Sequence, residues 1–340
     1  MLATINGPGE VAAWLFPFVT ALRERCPSAR VSVALLPCVF ASGRERRVVE
    51  NMAGIHRVLS PQESVRWILS GRTPPGLQSP HVLLHLGGEF LLSARLARRL
   101  GVPLVVYEEG RPRWPSLASR VCVRDVPWAR GSADRVHAVG NLMVDAARLR
   151  VPVRPDRFSG PQTVALFPGS RPYFVRQLLP MFLRAAALTR EAMPDVDFVL
   201  AKSDFISLDE LRTSVQHHDS IIPGDRGTII VRGRRLTIES ATGVRVDVLA
   251  PSAALHRATT AVTIPGTNTA ELGALGIPFL TVLPAYRLRA LPLPGLAGHL
   301  GRLPLAGPLI KEASRDCTCA CADTGHIRID WRGGVSCPNS

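Results

Sequence analysis

The stretch that most constrains the fold is residues 164–188, VALFPGSRPYFVRQLLPMFLRAAAL. Residues 164–167 are an apolar run that predicts a buried strand, and Pro168-Gly169-Ser170-Arg171 a tight turn. An apolar stripe then recurs at Phe174, Leu178, Phe182, Ala185 and Leu188, which is helical spacing. Strand, glycine-serine turn, helix is half of a βαβ unit. Its helix start aims backbone N–H groups and the positive end of the helix dipole at one spot, which suits an anion such as phosphate. Arg171 adds a planar positive fork beside it. Pro180 falls inside the stripe, so the spacing predicts a late helix start or a kink there.

A second unit of the same kind follows. Residues 261–264 read as a short strand, Pro265-Gly266-Thr267-Asn268-Thr269 as a small-residue turn, and residues 270–275 as the start of a helix carrying Glu271. Gly276-Ile277-Pro278 stops it, and residues 279–283 form the next strand. Two phosphate-type turns in one half of a chain are more specific than either alone.

The first half repeats the rhythm. A strand at residues 2–5 leads through Asn6-Gly7-Pro8-Gly9-Glu10 into a helix at 11–25, with Trp14, Phe18 and Leu22 as its buried stripe. A strand at 31–36, a polar helix at 44–52, a short strand at 57–59 and a helix at 61–69 come next. HVLLHL, residues 81–86, is the best buried strand of this half and ends in Gly87-Gly88-Glu89-Phe90 before a helix at 91–100. A carboxylate just past the C-terminal end of a parallel strand stands where open α/β sheets bind ligands. Glu89 stands there, and it also reads as a first-turn carboxylate of its helix. Glu10 reads as a first-turn carboxylate that complements the dipole of its own helix. His85 reads as a core histidine. Strands at 104–107, 120–123 and 135–139 complete the half, with a basic, aromatic loop at 111–114 after Glu108 and Glu109.

Residues 151–162, VPVRPDRFSGPQ, are dense in breakers and mark a linker. The chain therefore divides into a domain at 1–150, a linker at 151–162 and a domain at 163–284. A strand at 197–201, a helix at 208–216, a hairpin at 228–232 and 236–239, a strand at 246–249 and a helix at 252–257 fill the second domain. Strands alternating with helices in both halves predict an α/β architecture with parallel sheets. Residues 285–311 are apolar and basic, suited to a membrane surface or to a crossover back to the first domain. Residues 312–340 hold Cys317, Cys319, Cys321, Cys337 and His326; CxCxC is not the usual zinc spacing, and the composition predicts a disordered tail.

The formal net charge of +14 favours anionic partners: a nucleotide or an acidic lipid headgroup. The arginines are scattered rather than gathered with aromatics, so no nucleic-acid partner is expected. No apolar run approaches the roughly 20 residues needed to span a bilayer, and no signal peptide is expected. The reading is cytoplasmic, with peripheral contact to an anionic membrane.

Several segments resemble the lipid-A-disaccharide synthase family. LFPGSRPYFVRQLLPMFLRAAAL is similar to that family's LPGSR segment and the helix behind it. IPGTNTAELGALGIPFLTV is similar to its SGTxTLEAxLxGxPMVV, VGNLMVDA at residues 139–146 to its VGHPxVD, and Gly9-Glu10 to its AGE. The resemblance runs in order from about residue 5 to about residue 283 and points to a divergent branch. It implies two Rossmann-like domains facing a cleft, the GT-B glycosyltransferase fold. It implies a UDP-sugar donor, an acylated UDP-glucosamine in the family, and a lipid-linked sugar or other glycan acceptor. On that reading Gly169, Ser170, Arg171, Gly266, Thr267, Asn268, Thr269 and Glu271 hold the donor, and Gly9 and Glu10 contact the acceptor. The family has Asp-Phe where this chain has Glu89-Phe90, and its aspartate is the proposed base, so Glu89 is the catalytic candidate. Neither cofactor nor metal is expected, because helix dipole and arginine can carry the charge of leaving UDP. The family's closing PNxxAG…PE motif is not found here. A UDP-sugar 2-epimerase and a non-catalytic nucleotide or membrane-surface binder remain as alternatives.

Overall fold

The computed structural model describes residues 1–112, 114–129, 134–152, 161–219, 222–282, 328–330 and 334–336. Two seven-stranded sheets organise it. In the first, β1 (Leu2–Ile5), β2 (Val31–Leu35), β3 (Ile55–Leu59), β4 (Leu83–His85), β5 (Leu104–Glu108), β6 (Arg120–Val123) and β7 (Val136–Ala138) stand in the order β3-β2-β1-β4-β5-β6-β7, every pair parallel. All four residues of β1 are buried, as expected of a central parallel strand covered on both faces.

The second sheet comprises β8 (Thr163–Phe167), β9 (Asp197–Ala201), β10 (Gly227–Arg232), β11 (Arg235–Ser240), β12 (Arg245–Leu249), β13 (Thr260–Thr263) and β14 (Phe279–Thr281). Their order is β10-β11-β12-β9-β8-β13-β14. The run β12-β9-β8-β13-β14 is parallel, and β10 and β11 add an antiparallel edge. Both sheets are thus doubly wound, the α/β class read from the alternation of strands and helices.

The strand order reverses between β1 and β4 in the first sheet and between β8 and β13 in the second. Open α/β sheets bind ligands in the crevice outside the strand ends at such a switch point. The glycine-rich turns singled out in the sequence all follow these four strands.

The first-half helices are α1 (Pro8–Glu10), α2 (Phe16–Arg25), α3 (Glu45–Glu50), α4 (Pro61–Ser70), α5 (Phe90–Leu100), α6 (Val126–Ala129) and α7 (Leu142–Arg150). Those of the second half are α8 (Pro172–Ala192), α9 (Leu208–Val215), α10 (Pro251–Arg257) and α11 (Thr267–Ala274). A π-helical turn, Val11–Leu15, joins α1 to α2. It carries an extra residue per turn and moves the face that meets the core. Val11, Leu15 and Val19 are therefore fully buried, while Trp14, Phe18 and Leu22, expected as the stripe, pack half-buried beside them. The late helix start expected from Pro180 does not occur. The helix α8 starts at Pro172, where a missing N–H costs nothing, and runs on through Pro180. The Pro180 carbonyl accepts a bond from the Asp225 N–H at 2.9 Å.

Each half lends side chains to the other's core. Ala147 and Val151, at the end of α7, pack with Ala165, Phe167 and Leu272 of the second half. Phe205, just past β9, packs with Ile5, Leu35 and Val49 of the first. Both sheets belong to one compact unit, Met1–Tyr286. A separate antiparallel hairpin pairs β15 (Arg328–Asp330) with β16 (Gly334–Ser336) within the stretch expected to be disordered. Residues 153–160 of the linker, the 285–311 segment, the four tail cysteines and His326 lie outside the described residues. No helix among the described residues is long and apolar enough to cross a membrane.

Candidate functional site

The first-half lip is built from the turns after β1 and β4. The turn at Gly87 packs directly on the turn after β1: a Cβ placed there would lie 3.0 Å from Asn6 Oδ1 and 3.2 Å from Glu10 Cγ. Glu89 follows two residues later, at the β1/β4 switch point. Glu89 is the N-cap residue of α5, yet its side chain makes no capping bond, so the carboxylate is not spent on its own helix. Glu109, just past β5, completes an acidic margin. Burial pushes its carboxyl above the usual range and the Glu10 charge adds to that, against the pull of Arg124. Asn6 Oδ1 and Glu10 Oε2 are buried with no hydrogen-bond partner among the described residues, while Trp14 Nε1 faces the Glu109 carboxylate.

The second-half lip is built from the turns after β8 and β13. Gly169 has φ +97°, a left-handed backbone that fits glycine. Arg171 follows as the N-cap residue of α8, and its guanidinium stacks 4.3 Å from the centre of the Phe40 ring, in the first half. Gly266 has φ +154°, with open space in front of it, and ends at the start of α11. The Thr269 hydroxyl donates to the Gly266 carbonyl at 2.6 Å and so holds the turn. Glu271 is 4 % exposed and forms an ion pair with Arg150, the last residue of α7. Burial pushes the Glu271 carboxyl up and Arg150 pulls it down.

The two lips nearly touch: a Cβ on Gly9 would lie 3.3 Å from Thr267 Cγ2. Alongside this approach is a cavity of about 630 Å³ walled by both halves. Its size falls within the roughly 300–1,000 Å³ range of ligand pockets. Gly9, Gly169, Ser170, Thr267, Asn268 and Glu271 line it, so six of the expected site residues meet on one cavity. Glu10, Glu89, Arg171, Gly266 and Thr269 do not line it. Sequence reasoning missed Arg44, Arg150 and the loop Ser203, Asp204 and Phe205, which do. Arg150 carries no motif; only the apolar face of its helix, at Ala147 and Val151, hints that α7 crosses over. No three His, Cys, Asp or Glu residues gather as metal ligands among the described residues.

His85 lies beneath the first lip and is 6 % exposed, a core residue as read. Its Nδ1 meets Ser93 Oγ at 2.9 Å and Thr4 Oγ1 at 3.2 Å. Burial pulls its pKa down to about 4 from an ordinary 6.5. The folded state thus keeps His85 neutral while the unfolded chain takes up a proton between these values. Stability rises with pH through that window and is lost as the pH falls from 6.5 toward 4. The expected loss is on the order of 3 kcal/mol. Urea unfolding at pH 7 and pH 4.5 measures it, and a His85→Asn variant is expected to flatten the difference; an undiminished acid slope would assign it to other groups.

Fold and cavity together define a protein of two Rossmann-like halves with a pocket between their strand-end turns. In sequence the chain is similar to lipid-A-disaccharide synthases, as a divergent relative. That of Geobacter sulfurreducens is 26% identical over 256 residues, 69% of this chain and 59% of the relative. That of Syntrophus aciditrophicus is 30% identical over 219 residues, 58% of this chain and 50% of the relative. The chain thus spans between half and three fifths of the length of these curated relatives. Among solved structures, a Staphylococcus aureus MnaA–UDP co-structure aligns over 93% of this chain and 87% of its own, at 15% identity and a TM-score of 0.49. No family model matches the chain.

Proposed function

We propose that this protein is a glycosyltransferase that moves a sugar from a UDP-sugar to a lipid-linked sugar acceptor, with inversion. The observation that carries the reading is the near-contact of Gly9 with Thr267 beside one cavity, which brings a turn of the first sheet's switch point against a turn of the second's. The donor diphosphate lies across Gly169, Ser170 and the α11 start at Gly266, Thr267 and Asn268, where backbone N–H groups and the helix dipole face it. Arg171 flanks the first of these turns, and Thr269 shapes the second. Glu271 Oε2, with no partner among the described residues, takes a ribose or sugar hydroxyl. The acceptor sugar fills the polar margin at Asn6, Gly9 and Glu10. Glu89 removes the acceptor hydroxyl proton as that oxygen attacks the anomeric carbon, and UDP leaves from the opposite face with its charge taken by the α11 start. An acylated UDP-glucosamine donor and an approach from an anionic membrane surface follow from the sequence resemblance and the basic charge.

The test is thermal unfolding with and without UDP. At a hundred times its dissociation constant the nucleotide is expected to add about 2.7 kcal/mol, seen as a raised Tm. Arg171→Ala is expected to reduce the shift. A folded wild-type protein whose Tm ignores UDP would rule the donor site out.

A further inference from the structure

The donor site needs a cation facing its pyrophosphate, and the sequence offers Arg171 for that place. The structure holds Arg171 over Phe40 and off the cavity wall. Another arginine stands on the wall beside Ser170, Thr267 and Asn268: Arg150, from the end of α7. We infer that Arg150 recognises the pyrophosphate of a nucleoside diphosphate, with Glu271 as its positioning residue. This rests on the donor-site reading above and names its specificity determinant.

The guanidinium is fixed from three sides. Its Nη1 pairs with Glu271 Oε1 on α11, and its Nη2 donates to the Ala12 carbonyl of the π turn at 2.5 Å. Its Cζ lies 5.0 Å from the centre of the Phe16 ring at the start of α2. An arginine has five N–H donors in a rigid fork, and among the described residues two are used here. Three remain for a ligand. A fork already immobilised loses little further freedom when an anion arrives, which favours recognition of phosphate oxygens. Arg44 and Arg47 also line the cavity, and Arg44 has its Nε on the Asp204 carbonyl at 3.3 Å.

The pair also needs a reason beyond folding. A buried ion pair stabilises a fold no better than apolar residues of similar volume. Charge at this place is accounted for when the pair does something apolar residues cannot. Glu271 holds the guanidinium at the α11 start, where helix N-terminus and fork together meet a doubly charged group.

The experiment is calorimetric titration of the full chain with UDP and, separately, with uridine. Wild type, Glu271→Gln and the double variant Arg150→Gln/Glu271→Gln are compared; the double variant leaves no bare buried charge, so it keeps the fold testable. UDP is expected to bind at least tenfold more weakly to the double variant than to Glu271→Gln, with uridine equal in the two. Equal UDP affinity in these two folded variants overturns the assignment of Arg150 while the donor site stands. Parallel weakening of UDP and uridine also overturns it, by showing a structural role alone. A wild type that binds no UDP overturns the donor-site reading and this inference with it.

Discussion

Truncating Arg150 to alanine is expected to lower the stability of the fold by about 3–5 kcal/mol. The side chain is mostly buried and its partner Glu271 more so. Removing the cation leaves a mostly buried carboxylate without its charged partner. It also removes the bond to the Ala12 carbonyl and the stacking on Phe16 that tie α7 to the π turn and α2. The loss should depend on pH in a definite direction. Burial already holds the Glu271 carboxyl above its ordinary value, and without Arg150 it moves higher. A carboxyl whose folded-state pKa exceeds its unfolded value binds its proton more readily in the folded protein. The deficit relative to wild type is therefore full at neutral pH and shrinks as the pH falls through the folded-state value. Replacing both partners, as Arg150→Met/Glu271→Leu, is expected to restore most of the stability. Urea midpoints of the three proteins at pH 7 and pH 5 check this, and a single variant within 1 kcal/mol of wild type at both would show the pair to be solvated.

The parts of this architecture that were legible in the sequence are those whose signal is local. A run such as residues 164–167, buried on both faces, can only be a strand of a covered sheet, and a glycine turn behind it places a helix start. That sufficed for the strand–turn units after β1, β4, β8 and β13, while the strand order that makes them switch points came only with the fold. The π turn was not legible, because Trp14, Phe18 and Leu22 fit an ordinary helical stripe as well as Val11, Leu15 and Val19 do. Pro180 misled for a related reason. Local chemistry argues for a late start or a kink there, but the surrounding core at Leu179, Met181 and Phe182 keeps the helix continuous from Pro172. The Arg150–Glu271 pair was hidden by distance along the chain. Neither residue predicts the other, and only the packing of α7 on the second half brings them together. The cavity, too, belongs to tertiary structure: its loop at Ser203 and Asp204 carries no motif. Thr269 was read from its motif as a ligand-facing hydroxyl, while its bond to Gly266 was invisible until the turn had a shape.

Glu89→Gln is expected to reduce sugar transfer by about 10²–10⁴-fold, the range that general-base catalysis supplies. The argument starts from what the side chain is not doing. It makes no bond to its own helix, so the substitution removes no cap and should leave the Tm nearly unchanged. Glutamine keeps the volume and one acceptor oxygen but cannot take up a proton from the acceptor hydroxyl at neutral pH. Because Glu89 stands at the β1/β4 switch point and off the wall of the nucleotide-sized cavity, UDP should bind the variant as it binds wild type. Loss of turnover with donor binding preserved is therefore the signature of a base on the acceptor side. Glu89→Asp keeps the carboxylate but draws it back by one methylene, and it should retain part of the activity that glutamine loses. Transfer from an acylated UDP-glucosamine to a lipid-linked sugar, followed as UDP release, reads both variants. Equal rates for Glu89→Gln and wild type would remove Glu89 from the mechanism and move the proton to Glu10 or Glu109, the other carboxylates of the same margin. Matched loss of UDP binding and turnover would instead make Glu89 a structural part of the donor cavity.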